Sequence, residues 1–311
     1  MNGVSPRTAY SDTPFCTTVE GLLQGFPRGM LFAMDHRPLV IDYYDRHPIN
    51  EARILASLAR RGTSPATLTP EDLFDLDQDH YGGREAVEAL ARTAGIAGES
   101  TVLDVCAGLG GPARFLSWRY SCRVTGIDLT ESRCRSATRL TRMVGLSRRV
   151  AFVGGDAAAL PFASGSFTAV VSQEGWLHIP DKERCVRECA RVLAPGGRLA
   201  FTDWTAGSKL SPRERSQLQK WMAAVHVESL DGYQQLLARA GFAAIETEDL
   251  TGEWRWIMRE RLTKHQKRQE EGVARFGRSV YEEYTQLYTF FAGLLETGKI
   301  GGGRLSAAKP G

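Results

Sequence analysis

A run of apolar residues that ends in an acidic, glycine-rich loop constrains this chain more than any other feature. The run Val102-Leu103-Asp104-Val105 leads into Cys106-Ala107-Gly108-Leu109-Gly110-Gly111, and Pro112-Ala113-Arg114-Phe115-Leu116 then has the composition of a helix. This order predicts a strand, a glycine turn and a helix. Such a unit places backbone N–H groups and the positive end of a helix beside a bound nucleotide-like ligand.

A second carboxylate follows the next apolar run. Asp128 ends the stretch Arg123-Val124-Thr125-Gly126-Ile127, at roughly the twenty-residue distance from the glycine loop at which an acidic residue grips ribose hydroxyls. The two features together predict a ligand that contains a ribose.

From about Ser100 the chain alternates between strand-like and helix-like segments. Strands are predicted at 101–106, 122–127, 150–153, 167–172, 197–203 and 242–248. This alternation is typical of a parallel sheet with helices on both faces. Upstream, residues 43–61 are predicted to form one helix, and residues 301–305 are predicted to form a last strand at the sheet edge.

Composition narrows the functional classes. With 311 residues and 42% hydrophobic content, the chain can bury one large α/β core. Its 39 basic and 36 acidic residues nearly balance, so no nucleic acid or anionic membrane is an expected partner. Six scattered cysteines without a CxxC pair, and no apolar leader, favour a cytoplasmic protein with reduced thiols and no metal site.

Further motifs follow the third strand and precede the fifth. They are Gly155-Asp156-Ala157 before Leu160-Pro161-Phe162, and Leu193-Ala194-Pro195-Gly196-Gly197. Together with the Asp104 loop and Asp128, this series resembles the class I S-adenosylmethionine-dependent methyltransferases over about residues 75 to 250. The resemblance implies an α/β, Rossmann-like fold whose mostly parallel seven-stranded sheet carries helices on both faces.

The resemblance also implies a division of the chain. Residues 1–40 are expected to be loosely ordered, and residues 41–98 to form a helical lid or N-terminal extension. Residues 99–311 would form the methyltransferase domain, with helical insertions at about 206–230 and 254–297. An apolar stripe at 287–295 in the second insertion is expected to pack onto the domain as part of a cap, or to form the face of a homodimer.

S-adenosylmethionine is the cofactor that the resemblance implies, and its binding residues lie mainly at the ends of the first four strands. They are Tyr81, Asp104, Ala107, Gly108, Gly110, Asp128, Leu129, Asp156, Ala157 and Gln173. Asp128 would accept hydrogen bonds from both ribose hydroxyls, Leu129 would pack on the adenine, and Asp156 would receive the adenine amino group. One departure is Cys106, because the family's loop usually begins with glycine at that position.

The sequence is more closely similar to the glycine/sarcosine/dimethylglycine and phosphoethanolamine N-methyltransferases. The loop 77–83 lies where those enzymes carry an aromatic lid, which suggests this role for Tyr81, and residues 108–114 match their extended glycine loop. Glu174 and His178 resemble their acid-and-histidine pair near the acceptor nitrogen. The similarity implies methyl transfer to a small polar metabolite, at an amine nitrogen of a sarcosine-like or dimethylglycine-like acceptor, with His178, Glu174 and Tyr81 as catalytic residues.

Methyl transfer from a sulfonium is an in-line displacement, so catalysis consists of positioning and of managing one proton on the acceptor. A histidine titrates near neutrality, and His178 can take that proton or hold the acceptor lone pair toward the methyl group. Glu174 can orient His178 or meet a cationic amine. The alternatives are a structural histidine before Pro180, a solvent-facing Glu174 and a Tyr81 that only packs the N-terminal helices.

Other functions remain open at this stage. Transfer to an oxygen, sulfur or carbon of a small acid or natural product fits the same motifs. An RNA or protein methyltransferase is less favoured, because the charge is near neutral and Ser172-Gln173-Glu174-Gly175 is not the Asn/Asp-Pro-Pro-aromatic tetrapeptide of base-amine enzymes. A non-catalytic scaffold is disfavoured by the intact set of Asp104, Asp128 and Asp156.

Overall fold

The computed structural model describes residues 35–78 and 80–311. Most of the segment that was expected to be loosely ordered therefore lies outside the described residues. Within them, seven strands form one sheet in the order β3-β2-β1-β4-β5-β7-β6. The strands are β1 Thr101–Val105, β2 Arg123–Asp128, β3 Val150–Gly154, β4 Phe167–Gln173, β5 Leu193–Ala206, β6 Ala243–Asp249 and β7 Ile300–Ala308. Strands β1 to β5 are parallel to their neighbours among themselves, as predicted.

Helices connect the strands and cover the sheet. They are α1 Arg37–Asp45, α2 Glu51–Arg60, α3 Gly83–Thr93, α4 Gly111–Tyr120, α5 Glu131–Met143, α6 Lys182–Val192, α7 Pro212–Met222, α8 Leu230–Arg239, α9 Thr251–Lys267, α10 Gln269–Phe276 and α11 Arg278–Glu296. The last three lie between β6 and β7. In the part of the chain that the structure describes, no helix combines the length and the apolar character needed to cross a bilayer.

The prediction of a single helix at 43–61 is wrong, because α1 ends at Asp45 and α2 begins at Glu51. Pro48 separates them, and a residue that precedes proline is disfavoured in the helical conformation. The second helix then begins afresh: the Asn50 side chain accepts a hydrogen bond from the Arg53 N–H at 3.1 Å and caps α2.

The prediction of an edge strand at 301–305 is also wrong. Strand β7 lies between β5 and β6 and is antiparallel to both. Helices α9 to α11 carry the chain far enough to return between strands already placed. Glycine is needed at position 302 because a Cβ there would lie 2.3 Å from the Trp254 ring. Trp254 therefore packs directly on the β7 backbone.

Three apolar clusters hold these elements together. One cluster packs α2 to α5 against one sheet face, and a second packs α6 and α8 against the other. The third, here called the cap cluster, joins α9 and α11 to the ends of β4 and β5 and includes Tyr81, Trp204, Trp254 and Phe291. The cap cluster therefore stands beside the loop that follows β4.

Candidate active site

A pocket lies at the carboxyl ends of β1 to β4, the edge at which open parallel sheets bind ligands. Most of the residues implicated by sequence line it: Asp104, Ala107, Gly108, Asp128, Leu129, Asp156, Ala157, Gln173, Glu174 and His178. Gly110 and Tyr81 are not among the lining residues. The fold thus brings most of the predicted cofactor-binding residues, and the predicted catalytic residues Glu174 and His178, into one cavity.

Backbone groups fix the carboxylate of Asp128. The N–H of Gly108 donates to Oδ2 and the N–H of Thr130 donates to Oδ1, both at 2.8 Å. Burial raises the pKa of Asp128, while these two bonds oppose that rise. Each oxygen keeps a second lone pair, so the carboxylate can accept two neighbouring hydroxyl groups. This arrangement fits a ribose diol.

Asp104 lies deeper in the pocket, and its side chain is incompletely satisfied. The residue is 2% exposed, and Oδ2 has no hydrogen-bond partner among the described residues. Burial, with a smaller effect of the Asp128 charge, raises the pKa of Asp104 to about 8. A buried polar atom without a partner is costly. An ammonium group in the pocket would complete it, as the methionine end of the expected cofactor can.

The other end of the pocket carries Asp156. Its Oδ1 accepts the N–H of Ala158 at 2.8 Å, and Leu129 and Ala157 line the wall beside it. His36 approaches from the N-terminal side of the chain. Burial lowers the pKa of His36, and the charge of Asp156 opposes that shift. A carboxylate with an apolar neighbour fits a flat ring that carries an amino group.

A tyrosine and a histidine, bonded to each other, also line the pocket. Tyr44 Oη lies 2.8 Å from His178 Nε2, and His178 Nδ1 lies 3.0 Å from the carbonyl oxygen of Ala223. Because a carbonyl only accepts, Nδ1 carries the proton, and Nε2 accepts from the Tyr44 hydroxyl. Burial lowers the pKa of His178 to about 4. The histidine is therefore neutral at physiological pH, in one tautomer.

A buried lysine fixes the loop that carries His178. Lys182 Nζ donates to the carbonyls of Trp176 at 2.8 Å, Ile179 at 2.9 Å and His226 at 2.6 Å. Burial lowers the pKa of Lys182 to about 8, and its charge also disfavours protonation of His178. The position of the imidazole is thus set by its own bonds and by a rigid loop.

Helix α1 forms one wall of the pocket. His36, Val40 and Tyr44 follow one another at intervals of four positions, and all three line the cavity. These residues were not predicted from the sequence, although side chains four positions apart share one helical face. That stripe was the available signal. The Ala223 carbonyl, at the end of α7, had no signal in the sequence because it is a backbone group.

Glu174 connects the pocket to the cap cluster. Its φ is +52°, and its Oε1 accepts the N–H of Tyr81 at 2.5 Å. The Tyr81 ring, however, packs against Trp204 at 5.3 Å and Trp254 at 5.0 Å, with the Arg261 guanidinium 4.2 Å from its centroid. Burial raises the pKa of the Tyr81 phenol. A lid or catalytic role for Tyr81 stays a prediction.

Of two further residues that were predicted to bind the cofactor, Gln173 lines the pocket and Gly110 does not. Gly110 has a φ of +76° before α4, and a Cβ there would lie 2.2 Å from the Phe152 ring, so packing alone accounts for this glycine. Gln173 lines the pocket with Nε2 at 3.2 Å from His80 Nδ1. Its Oε1 is buried and has no partner among the described residues, which leaves an acceptor available to a ligand.

The unusual Cys106 fits because its neighbour is glycine. Cys106 adopts a φ of +61°, in the left-handed region that favours glycine. A Cβ on Gly175 would lie only 2.4 Å from the Cys106 Cβ. Burial raises the pKa of the Cys106 thiol, so the side chain is a neutral group in the pocket wall.

Comparisons with known proteins agree with this geometry. Residues 103–201 match the family described as "Methyltransferase domain". The glycine/sarcosine/dimethylglycine N-methyltransferase of Actinopolyspora halophila is 34% identical over 168 residues, which cover 53% of this chain and 29% of that protein. The methyltransferase GfsG of Streptomyces halstedii is 32% identical over 187 residues, which cover 59% of this chain and 67% of that protein.

A solved structure extends the similarity to the fold. Phosphoethanolamine N-methyltransferase 2 of Haemonchus contortus, in complex with phosphomonomethylethanolamine and S-adenosylhomocysteine, superposes with a TM-score of 0.73 at 21% identity. The match covers 90% of this chain and 61% of that chain. This chain therefore spans less than two thirds of the length of several of the proteins that it matches.

Proposed function

The chain belongs to the S-adenosylmethionine-dependent methyltransferases, and on that premise we propose that it methylates a small polar metabolite at an amine nitrogen. The observation that carries the proposal is the hydrogen bond between Tyr44 and His178, two residues that line the same pocket as Asp128 and Asp156. The pocket then has groups for a nucleoside and groups for an acceptor. S-adenosylmethionine, when bound, supplies a methyl group on a positively charged sulfur.

The cofactor residues proposed from sequence have compatible surroundings. Asp128 would hold the ribose hydroxyls, Asp156 the adenine amino group, and Asp104 the ammonium of the methionine portion. Leu129 would cover one face of the adenine. The four side chains line one cavity, and the unpartnered Oδ2 of Asp104 is the strongest support for a cationic group beside it.

The magnitude of the His178 shift supports a positioning role for the pair. A histidine with a pKa of about 4 is several units too weak to take a proton from an alkylammonium, and each unit costs about 1.4 kcal/mol. Tyr44 donates its hydroxyl proton to His178, so its oxygen lone pairs can accept the N–H of a neutral primary or secondary amine such as sarcosine. The amine lone pair then points away from Tyr44, toward the methyl group. A neutral tertiary amine has no N–H and would not use this bond.

The weak basicity of His178 also favours nitrogen over oxygen as the acceptor atom. A hydroxyl must lose its proton as it attacks, and a weak base such as His178 gives little help. A neutral amine already carries an available lone pair; a primary or secondary amine sheds a proton after the transfer, whereas a tertiary amine has none to lose. The specific acceptor class, of the sarcosine or dimethylglycine type, rests on the sequence resemblance.

An acceptor screen tests this proposal. Purified protein would be incubated with cofactor labelled in its methyl group and with matched amine, hydroxyl and thiol compounds, and the products identified by mass spectrometry. We expect label on an amine, with transfer strongly reduced in the Tyr44→Phe variant. Label on hydroxyl compounds alone would establish the alternative acceptor, and absence of any labelled product would overturn the proposal.

A further inference from the structure

Arg133 is a buried cation that takes no direct part in the proposed methyl transfer. It lies in the first turn of α5 and is 3% exposed. A buried charge is costly unless other groups compensate it. The groups around Arg133 therefore indicate what it does.

One set of contacts joins Arg133 to the acceptor side of the pocket. Its guanidinium carbon lies 5.0 Å from the centroid of the Tyr44 ring, within the range of a cation–π interaction. Its Nη2 also donates to the Tyr44 carbonyl oxygen at 3.3 Å. Arg133 thus holds both the ring and the backbone of the residue that bonds to His178.

A second set joins Arg133 to the cofactor side. The Arg133 N–H donates to the Thr130 carbonyl at 3.0 Å, and the Thr130 N–H donates to Asp128 Oδ1 at 2.8 Å. The Arg133 charge also lowers the pKa of Asp128, against the larger effect of burial. One helical turn therefore carries the link to the carboxylate and the link to Tyr44.

Two further contacts join α5 to the N-terminal helices at residues other than Tyr44. Ser132 bonds to Asp45, and Arg139 pairs with Glu51 on the surface, where the Arg139 side chain is 53% exposed. These contacts dock α1 and α2 on α5 in a general way. Arg139 is therefore a matched control, since it lies on the same helix and bonds to the same N-terminal unit.

We propose that Arg133 is a positioning residue that couples occupancy of the ribose site at Asp128 to the alignment of Tyr44 on His178. A cofactor bound to Asp128 would fix the position of the first turn of α5. The Arg133 side chain, which contacts Tyr44, would then hold Tyr44 in a defined position. The acceptor would then find its hydrogen-bond partner in place only when the methyl donor is bound. This inference rests on the proposed function for its meaning, but its central coupling does not require methyl transfer.

The direct test uses S-adenosylhomocysteine as the probe and nuclear magnetic resonance of protein labelled with ¹⁵N in its histidines. Adding the probe to the unmodified protein should shift the ring-nitrogen signals of His178, assigned by their loss in His178→Ala. The shift should fall by at least half in Arg133→Met and in Arg133→Lys, and should persist in Arg139→Met. A full shift in the Arg133→Lys protein, or its loss in Arg139→Met, would overturn the coupling.

Kinetics supply the second measurement. Arg133→Met should lower kcat by about tenfold, a modest fraction of the loss that misplacement can cause, with a smaller change in cofactor affinity. In a Tyr44→Phe background the same substitution should cost little more, because it acts through the Tyr44 hydroxyl. A loss confined to cofactor affinity would overturn the role of Arg133 toward Tyr44. If no acceptor is ever found, the resonance experiment still decides the coupling.

Discussion

The proposed cofactor half and the proposed acceptor half of the pocket are built in different ways. In the cofactor half, Asp128 bonds to Gly108, only 20 positions away, and adjacent parallel strands deliver both. In the acceptor half, Tyr44 bonds to His178 across 134 positions, and His178 bonds to Ala223 across 45. The first half follows from one strand–loop–helix pattern, whereas the second exists only after α1, the β4 loop and α7 have packed together.

Because of this contrast, we expect the two halves of the pocket to respond differently to substitutions. Backbone N–H groups hold the carboxylate of the cofactor half, so removal of one side chain should leave its frame intact. Side chains from separate elements define the acceptor half, so small shifts in packing should reach it first. The following substitutions test that difference, beginning with the largest expected effect.

Asp128→Ala should weaken binding of S-adenosylhomocysteine most. It removes two hydrogen bonds to a charged group, each worth about 1.5–3 kcal/mol. Calorimetry on the folded variant measures the loss, and Asp128→Asn, which places an NH2 group against the N–H of Gly108 or Thr130, should also lose affinity. Unchanged affinity in the alanine variant would remove Asp128 from the cofactor half.

His178→Ala should lower kcat by about tenfold to a hundredfold, as expected when an acceptor is misplaced rather than deprived of a base. Cofactor affinity should barely change. Since burial lowers the pKa of His178 to about 4, its neutral form is present above that pH and lost as the pH falls through about 4. Between pH 6 and 9 any rise in kcat/KM should therefore follow the pKa of the amine acceptor.

Two amines of different pKa separate these explanations. The apparent pKa in the rate profile should move with the amine. A profile that stays near about 6.5, the usual value for histidine, with both amines and disappears in His178→Ala would instead identify His178 as a general base.

Gly175→Ala should destabilise the fold by about 1–3 kcal/mol, the usual cost of overpacking, because its Cβ would meet Cys106 at 2.4 Å. Cys106→Gly should rescue most of that loss, since it removes the clash and relieves the left-handed φ. Urea denaturation measures both. Gly293→Ala, which meets nothing within 4 Å, is the control, and additive effects of the pair would contradict the packing explanation.

The smallest expected effect is the release of a proton from Asp104 when the ligand binds. Burial raises its pKa to about 8, so it is mostly protonated at pH 7, and a cationic ammonium beside it would lower that pKa again. Binding of S-adenosylhomocysteine should then release up to about one proton, seen as a dependence of the calorimetric heat on the buffer. Asp104→Asn should remove the dependence. Heats that are equal in all buffers would argue against an ammonium at Asp104.

The sequence predicted the parallel sheet because alternating strands and helices leave few arrangements. It also led to the pocket-lining Asp104, Asp128 and Asp156, since the ends of neighbouring parallel strands necessarily meet at one edge. These predictions depended on local order alone. Their roles toward the cofactor remain predictions.

Other features depended on tertiary packing and were not found. Tyr44 lies in a short helix, and its face with His36 and Val40 lines the pocket only when α1 docks on α5. The pKa of His178 depends on burial by segments far away in the chain, so a value near neutrality was the natural expectation. Strand β7 was predicted at the sheet edge, whereas it lies between β5 and β6, where Gly302 leaves room for the Trp254 ring.

The position of β7 has a consequence for the order in which the sheet can be completed. Strand β6 pairs with β7 alone in the described sheet, yet the fifty residues from 250 to 299 separate the two. During synthesis β6 therefore waits with unpaired backbone groups, and such an edge invites pairing with other chains. Its Glu246, Glu248 and Asp249 side chains place negative charge along that edge, which disfavours mispairing until β7 arrives.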